Sequence, residues 1–138
     1  MRILLLIGCL IGSLLLPGTG HAQLGPEIEF ESTDYDFGEV EMGFVVEKDY
    51  RFRNVGDCPL IVSKAKPGCG CTRVDFEADT LNPGEWGSVK MIFDTQNRLG
   101  KERNSIALWT NDRSTPYRLT FHGVILAAKN TPDPEPED

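Results

Sequence analysis

From Phe44 onward the chain alternates apolar and polar side chains with a period of two, in short runs cut by turn residues. A period of two sends apolar side chains to one face of a pleated strand and polar ones to the other, so this pattern commits the chain to half-buried strands. Over residues 44–53, Phe44, Val46, Tyr50 and Phe52 share a face that Lys48 interrupts. Strands are expected at 59–65 and at 72–77, the latter with Val74 and Phe76 on one side. Val89, Met91 and Phe93 then alternate with Ser88, Lys90 and Ile92, and Ile106 and Leu108 oppose Ala107 and Trp109. Last, Tyr117, Leu119, Phe121, Gly123 and Ile125 alternate with Arg118, Thr120 and His122.

Turn signals separate these runs. Asn54-Val55-Gly56-Asp57 offers a glycine free to take positive φ, Asn82-Pro83-Gly84-Glu85 is a second turn, and residues 97–100 and 111–116 supply two more. No run carries a sustained helical period with caps. Short strands at about ten-residue spacing point to an all-β antiparallel sandwich or barrel. Without a helical crossover, a parallel sheet is not expected.

The start of the chain is different. Met1-Arg2 is followed by an almost wholly apolar run over 3–16, a Pro17-Gly18 break, and small residues ending at Ala22. This is the layout of a cleavable signal peptide over 1–22. The run is too short for a retained anchor, which needs about 20 apolar residues. Leu6-Ile7-Gly8-Cys9 resembles a lipobox, but most of the apolar run follows Cys9, so lipidation there is not expected. A single domain is expected over 23–129. The final stretch, 130–138 (NTPDPEPED), has nothing apolar to bury and is expected to be a disordered acidic tail. The protein is therefore read as exported, periplasmic or extracellular, with no transmembrane segment after cleavage.

Charge narrows the function. The chain carries a formal charge of −7, and loss of Arg2 makes the remainder more acidic. Binding a phosphate backbone needs Lys and Arg clusters, so no nucleic-acid partner is expected.

Cleavage leaves Cys58, Cys69 and Cys71. An odd number of cysteines in an exported chain implies a free thiol, an intermolecular bond or a metal ligand. Cys58 opens one strand, and the other two follow the turn at its far end. Seven residues at about 3.3 Å each put Cys58 roughly 20 Å away, whereas a disulfide needs Cα atoms within about 7 Å. Cys58 is thus read as a partly buried free thiol, with an intermolecular disulfide as the alternative.

The motif Cys69-Gly70-Cys71-Thr72 carries the sharpest chemical signal. On an extended strand the two cysteines are too far apart to bond, but Gly70 and Gly68 let the backbone bend into a very small disulfide ring, of a kind more easily reduced than ordinary structural bridges. The preferred reading is structural: a compact turn with packed or joined sulfurs. A thiol-redox centre is one alternative; it needs a lowered thiol pKa, and Lys64, Lys66 and Arg73 are near in sequence. A copper or zinc site is the other, with Cys69 and Cys71 as candidate ligands and only Cys58 and His122 as further soft donors.

Other chemistry has few parts to work with. His122 is the one histidine left after cleavage and lies on the polar phase of a strand, so a solvated side chain is expected. No nucleophile motif accompanies it, and no catalytic residue or cofactor is assigned. Asp94 and Asp112 adjoin strand ends and are read as turn caps. Trp86, Trp109, Tyr117 and Phe44 could form a recognition surface, but are read as core.

Seven segments carry a family resemblance: FGEV at 37–40, RFRNVGDCPLIV at 51–62, CGCT at 69–72, NPGE at 82–85, FDT at 93–95, Arg98 with Gly100, and HGVI at 122–125. Together they resemble the bacterial domain-of-unknown-function family fifteen-seventy-three, found in exported proteins. They are also distantly similar to immunoglobulin-like modules of the hydin and major-sperm-protein kind. The match covers roughly residues 28 to 127. Cys58 departs from the family pattern, where that turn position is usually polar. The resemblance implies an immunoglobulin-like sandwich and no particular activity. The functional expectation is a non-catalytic binding or structural module that meets another envelope or extracellular protein through an exposed strand edge.

Overall fold

The computed structural model describes residues 25–77 and 80–129. The expected leader, Cys9 within it and the acidic tail lie outside the described residues.

Nine strands follow one another within that range: β1 (Ile28–Phe30), β2 (Asp34–Glu41), β3 (Val45–Asn54), β4 (Leu60–Pro67), β5 (Thr72–Phe76), β6 (Thr80–Leu81), β7 (Trp86–Asp94), β8 (Gly100–Thr110) and β9 (Tyr117–Leu126). They form two sheets, one ordered β1-β3-β7-β5 and the other β2-β9-β8-β4-β6. No helix of the described residues is long and apolar enough to cross a membrane. The architecture is an all-β, immunoglobulin-like sandwich.

The period-two runs become the inward faces of the sheets. Val46, Tyr50 and Phe52 of β3, Val89, Met91 and Phe93 of β7, Ile106 and Leu108 of β8, and Leu119, Phe121 and Ile125 of β9 are all buried. Each large apolar side chain withdrawn from water favours folding by about 1.5–3 kcal/mol. The rings of Phe93 and Phe121 pack across the layer with centroids 5.2 Å apart. Tyr50 is accommodated because its hydroxyl donates to the Thr120 carbonyl at 2.8 Å. Lys48, which breaks the β3 pattern, sits with its ammonium 5.1 Å from the centre of the Tyr35 ring.

Five expectations are corrected. One strand pair is parallel: β2 runs alongside β9. The connection between these two strands is the whole domain, so a parallel pair forms with no helical crossover. Phe44 is 58% exposed, because β3 begins one residue later and Phe44 belongs to the preceding turn. Trp86 is 46% exposed: it opens β7 on the outward phase, where Arg51 and Arg53 stack over it at 4.9 and 5.4 Å. Trp109 also points outward, under the Lys64 ammonium at 5.1 Å, leaving Tyr117 as the one of the four aromatics packed against the core. Finally, Gly56 does not use positive φ. A Cβ there would strike the backbone of Gly25, Pro26 and Glu27, so it is glycine because two chain segments pass in contact.

Candidate functional site

The Pro67–Thr72 corner is where the chain leaves one sheet for the other, since β4 belongs to the five-stranded sheet and β5 to the four-stranded one. Backbone hydrogen bonds tie it to both layers. Gly68 N–H donates to Ser105 O of β8 at 2.8 Å, and Asp94 N–H of β7 donates to Cys71 O at 3.0 Å. Between these ties, Thr72 N–H donates to Cys69 O at 3.4 Å and closes a tight turn. That turn brings the Cα atoms of Cys69 and Cys71 to 5.3 Å, and their sulfurs are joined in a disulfide.

The remaining residues of the motif play distinct parts. Thr72 is buried, and its Oγ1 lies 3.4 Å from Cys69 Sγ and 3.7 Å from Cys71 Sγ. Disulfide sulfurs have no hydrogen, so the threonine hydroxyl is the donor. Cys71 packs against the core, and Cys69 is half buried. Gly70 is bent without entering positive φ, and a Cβ on it would touch nothing within 4 Å. The tighter glycine is Gly68, where a Cβ would stand 3.0 Å from Ser105 O. A ring this small removes little freedom from the unfolded chain: loop-closure entropy for three residues is worth roughly 1.6 kcal/mol. The bridge therefore sharpens the corner more than it holds the domain together.

Two of the three cations near the motif in sequence are turned to other tasks. Lys64 covers Trp109, and Arg73 Nε faces Asp75 Oδ1 at 3.8 Å. Cys58 is exposed rather than partly buried, because it sits in the turn before β4 and not on the strand. A hydrogen bond to the Asp57 carboxylate, with that charge beside it, pushes its thiol above the usual range and keeps it protonated at neutral pH. Cys69 and Cys71 do not pair with it, as the strand-length argument expects.

His122 is not simply solvated. Its Nε2 lies 3.0 Å from Asp34 Oδ2 and its Nδ1 lies 3.9 Å from Asp36 Oδ1, an arrangement set by the parallel register that puts Asp36 beside His122. His122 lies on β9, across β8 from the corner, with its ring turned to Asp34 and Asp36, and among the described residues no three His, Cys, Asp or Glu side chains are grouped to hold a metal ion, so the structure does not gather the soft donors named from the sequence. The two aspartates behave as read. Asp94 accepts from Gln96 N–H at 2.9 Å. Asp112 accepts from Ser114 N–H at 2.8 Å, and also from Ile28 N–H of β1 at 3.1 Å, a long-range tie that a turn cap does not announce.

The free edges of the sandwich form the other candidate. Among the described residues β5 pairs only with β7. In an antiparallel ladder, alternate residues aim their N–H and C=O at the partner. The Asp94-to-Cys71 bond fixes that phase, so Val74 and Phe76 aim theirs outward. Their side chains are only half buried. Beside them an open hollow of about 610 Å³ is lined by Phe52, Val62, Phe76, Leu81, Trp86 and Lys90, among others. The other edges are less available. β1 and β6 have three and two residues. β2 is longer, but it carries Asp34, Asp36, Glu39 and Glu41 and a register shift between Asp36 and Glu39, both of which blunt strand addition.

Comparison with known proteins agrees with this geometry. A crystal structure of a protein of unknown function from Porphyromonas gingivalis W83 superposes with a TM-score of 0.65 at 19% identity, over 75% of this chain and 48% of that one. This chain thus spans about half the length of that relative. The ASH/PapD-like domain 7 of human CEP192 gives a TM-score of 0.59 at 14% identity, covering 89% of this chain and 100% of that domain. The VesB protease of Vibrio cholerae matches at 0.55 and 15% identity, over 72% of this chain and 31% of its own. At these identities the likeness is one of fold. No curated protein matches the chain. The family model described as protein of unknown function, DUF1573, matches residues 28–125, and the chain belongs to that family.

Proposed function

We propose that the protein is an exported, non-catalytic immunoglobulin-like module that binds another envelope or extracellular protein, and that the partner adds an extended segment to the edge of β5. Residues 1–22 are its leader, and the periplasm or the space beyond is where it works. An oxidising compartment suits the Cys69–Cys71 bridge.

One observation carries the reading. β5 is an edge of useful length, started by the disulfide corner, with outward backbone groups at Val74 and Phe76 and a single acid, Asp75, paired with Arg73, where β2 carries four acids. An added strand gains its affinity from such main-chain groups and its specificity from a neighbouring pocket. Support for a non-catalytic role comes from the groups with shifted acidity. Tyr50, Tyr117, Asp57 and Cys58 are each explained by packing or a turn hydrogen bond, and they do not converge on one cleft.

Val74→Pro tests the proposal. It deletes the outward donor but leaves the ladder to β7, and proline is tolerated at a sheet edge. Capture of the partner from envelope extract should be lost with Val74→Pro and kept with Glu39→Lys on β2, both variants retaining the β-sheet circular dichroism of the parent. Capture that survives Val74→Pro and disappears with Glu39→Lys would refute the assignment of the edge.

A further inference from the structure

The two outer faces of the sandwich treat their cations differently. On the four-stranded sheet they are paired: Arg51 with Glu31 at 3.1 Å, Arg53 with Glu29 at 3.8 Å, Arg73 with Asp75 at 3.8 Å and Lys90 with Glu47 at 3.1 Å. The five-stranded sheet is sorted otherwise. Outward positions of β8, from Lys101 through Arg103, Ser105 and Ala107 to Trp109, stand beside Val124, His122, Thr120 and Arg118 of β9. On the far side Lys66 and Lys64 of β4 stand beside Ala107 and Trp109. Among the described residues, Lys64, Lys66, Lys101, Arg103 and Arg118 form no ion pair. His122, their neighbour on β9, is turned to Asp34 and Asp36, and Asp36 and Glu39 of β2 border the same hollow as Lys101 and Arg103. Five cations without an ion pair therefore share one face of a chain whose net charge is −7.

We propose that this face receives the chain's own acidic segment, residues 130–138. The segment holds Asp133, Glu135, Glu137 and Asp138 and no cation. Its Pro132-Asp133-Pro134-Glu135-Pro136-Glu137 order favours an extended polyproline-type chain rising about 3.1 Å per residue, which spaces successive acids by roughly 6 Å. Lys101 and Arg103, two residues apart on β8, are separated by about 6.7 Å, so the two charge rows match in pitch.

The point of departure fits as well. β9 ends at Leu126, and Gly100, next to Lys101, pairs with Ile125. Lys129 Nζ lies 3.8 Å from Glu41 Oε1, at that same end of the sheet. Four residues beyond Lys129 reach about 13 Å, enough to cross from β2 to Lys101, and nine reach about 30 Å, enough to pass Arg103 toward Arg118 and Lys66. Asp36 and Glu39 of β2 repel the segment from its own side and leave the β8 lane as the favourable track. This inference is independent of the assignment of the β5 edge.

Backbone amide spectra of the mature chain with and without residues 130–138 test it. At low salt, where screening extends about 30 Å, removal should shift the signals of Lys101, Arg103, His122 and Val124 and leave those of β3 and β7 unmoved. In about 1 M salt, where screening falls to about 3 Å, the two spectra should coincide. The shifts should be unchanged on dilution and absent from the Lys101→Glu/Arg103→Glu chain, whose exposed substitutions leave the fold intact. A synthetic 130–138 peptide added to the shortened chain should move the same signals. Identical spectra at low salt, shifts that fade on dilution, or shifts that persist in the charge-reversed chain would each overturn the proposal.

Discussion

Asn54 and Leu81 are 27 positions apart in sequence, and the Asn54 Nδ2 donates to the Leu81 carbonyl at 2.9 Å. The same amide donates to Cys58 O at 2.8 Å, while its Oδ1 accepts from Gly56 N–H at 3.0 Å. Its backbone joins the Asn82–Glu85 turn, accepting from Gly84 N–H and donating to Glu85 O. Asn54 is fully buried, so one side chain satisfies the polar groups of two turns that would otherwise be stranded. Asn54→Ala should destabilise the domain by about 1–3 kcal/mol, because it leaves two part-buried carbonyls without donors. Denaturant unfolding of the variant beside the parent measures this directly.

The glycines divide by cause, and alanine scanning should separate them. Gly70 faces open space, so Gly70→Ala should keep stability within about 1 kcal/mol, on the stabilising side, since alanine restricts the unfolded chain. Gly68→Ala presses on Ser105 O and should cost about 1 kcal/mol. Gly123 makes room for the Phe37 ring, and Gly123→Ala should cost about 1–3 kcal/mol through overpacking. Thermal unfolding in one buffer ranks the three.

Burial, with Asp112 as the next cause, pushes the Tyr117 phenol up to about 12. Burial, with the Asp34 charge behind it, pushes Tyr50 higher still. Both folded values exceed the ordinary phenol value of 10.0, so their contribution to stability is complete below that pH and is lost as pH rises through the folded values. Tyrosinate absorbance should show a step for Tyr117 near 12, and the denaturation midpoint should fall progressively above pH 10. Tyr50→Phe should steepen neither curve but remove the last step.

Asp57 holds the Cys58 thiol protonated, and the Gly25 N–H in turn holds the Asp57 carboxyl below its usual range. Asp57→Asn removes the charge, so Cys58 should react faster with iodoacetamide at pH 8 than in the parent chain. The carboxyl's own contribution works in the other direction: present above its ordinary value of 3.8, it is lost as pH falls through the depressed one. Amides of 25–27 should therefore lose protection first on acidification.

Much of this fold was legible because the core strands obey a simple beat. β7 through β9 read correctly since both neighbours of each strand are other strands, and the central inward positions Val89, Met91, Phe93, Ile106, Leu108, Leu119 and Phe121 are all apolar. β1 and β2 escaped notice for a physical reason. β1 is three residues long, and β2 is an edge strand whose outward acids and register shift mask its alternation. Cys69–Thr72 was recognisable as a tight corner, but its position between sheets depends on Ser105 and Asp94, which no local pattern names. Asn54 looked like a turn residue; what it serves lies 27 residues away. Phe44 faces outward because β3 starts one residue after it, and Trp86 because it opens β7 on the outward phase, where a single residue reverses a side chain from core to surface.

Photo-crosslinking from Asp75 on β5, carried out in envelope extract with a Cys69→Ala/Cys71→Ala chain as well as the parent, decides whether the β5 edge receives the partner. One protein should be joined through position 75 in both, because strand addition does not use the sulfurs. A partner joined only in the parent, and recovered as a mixed disulfide with Cys69 or Cys71, would contradict it and make the corner a thiol-exchange centre.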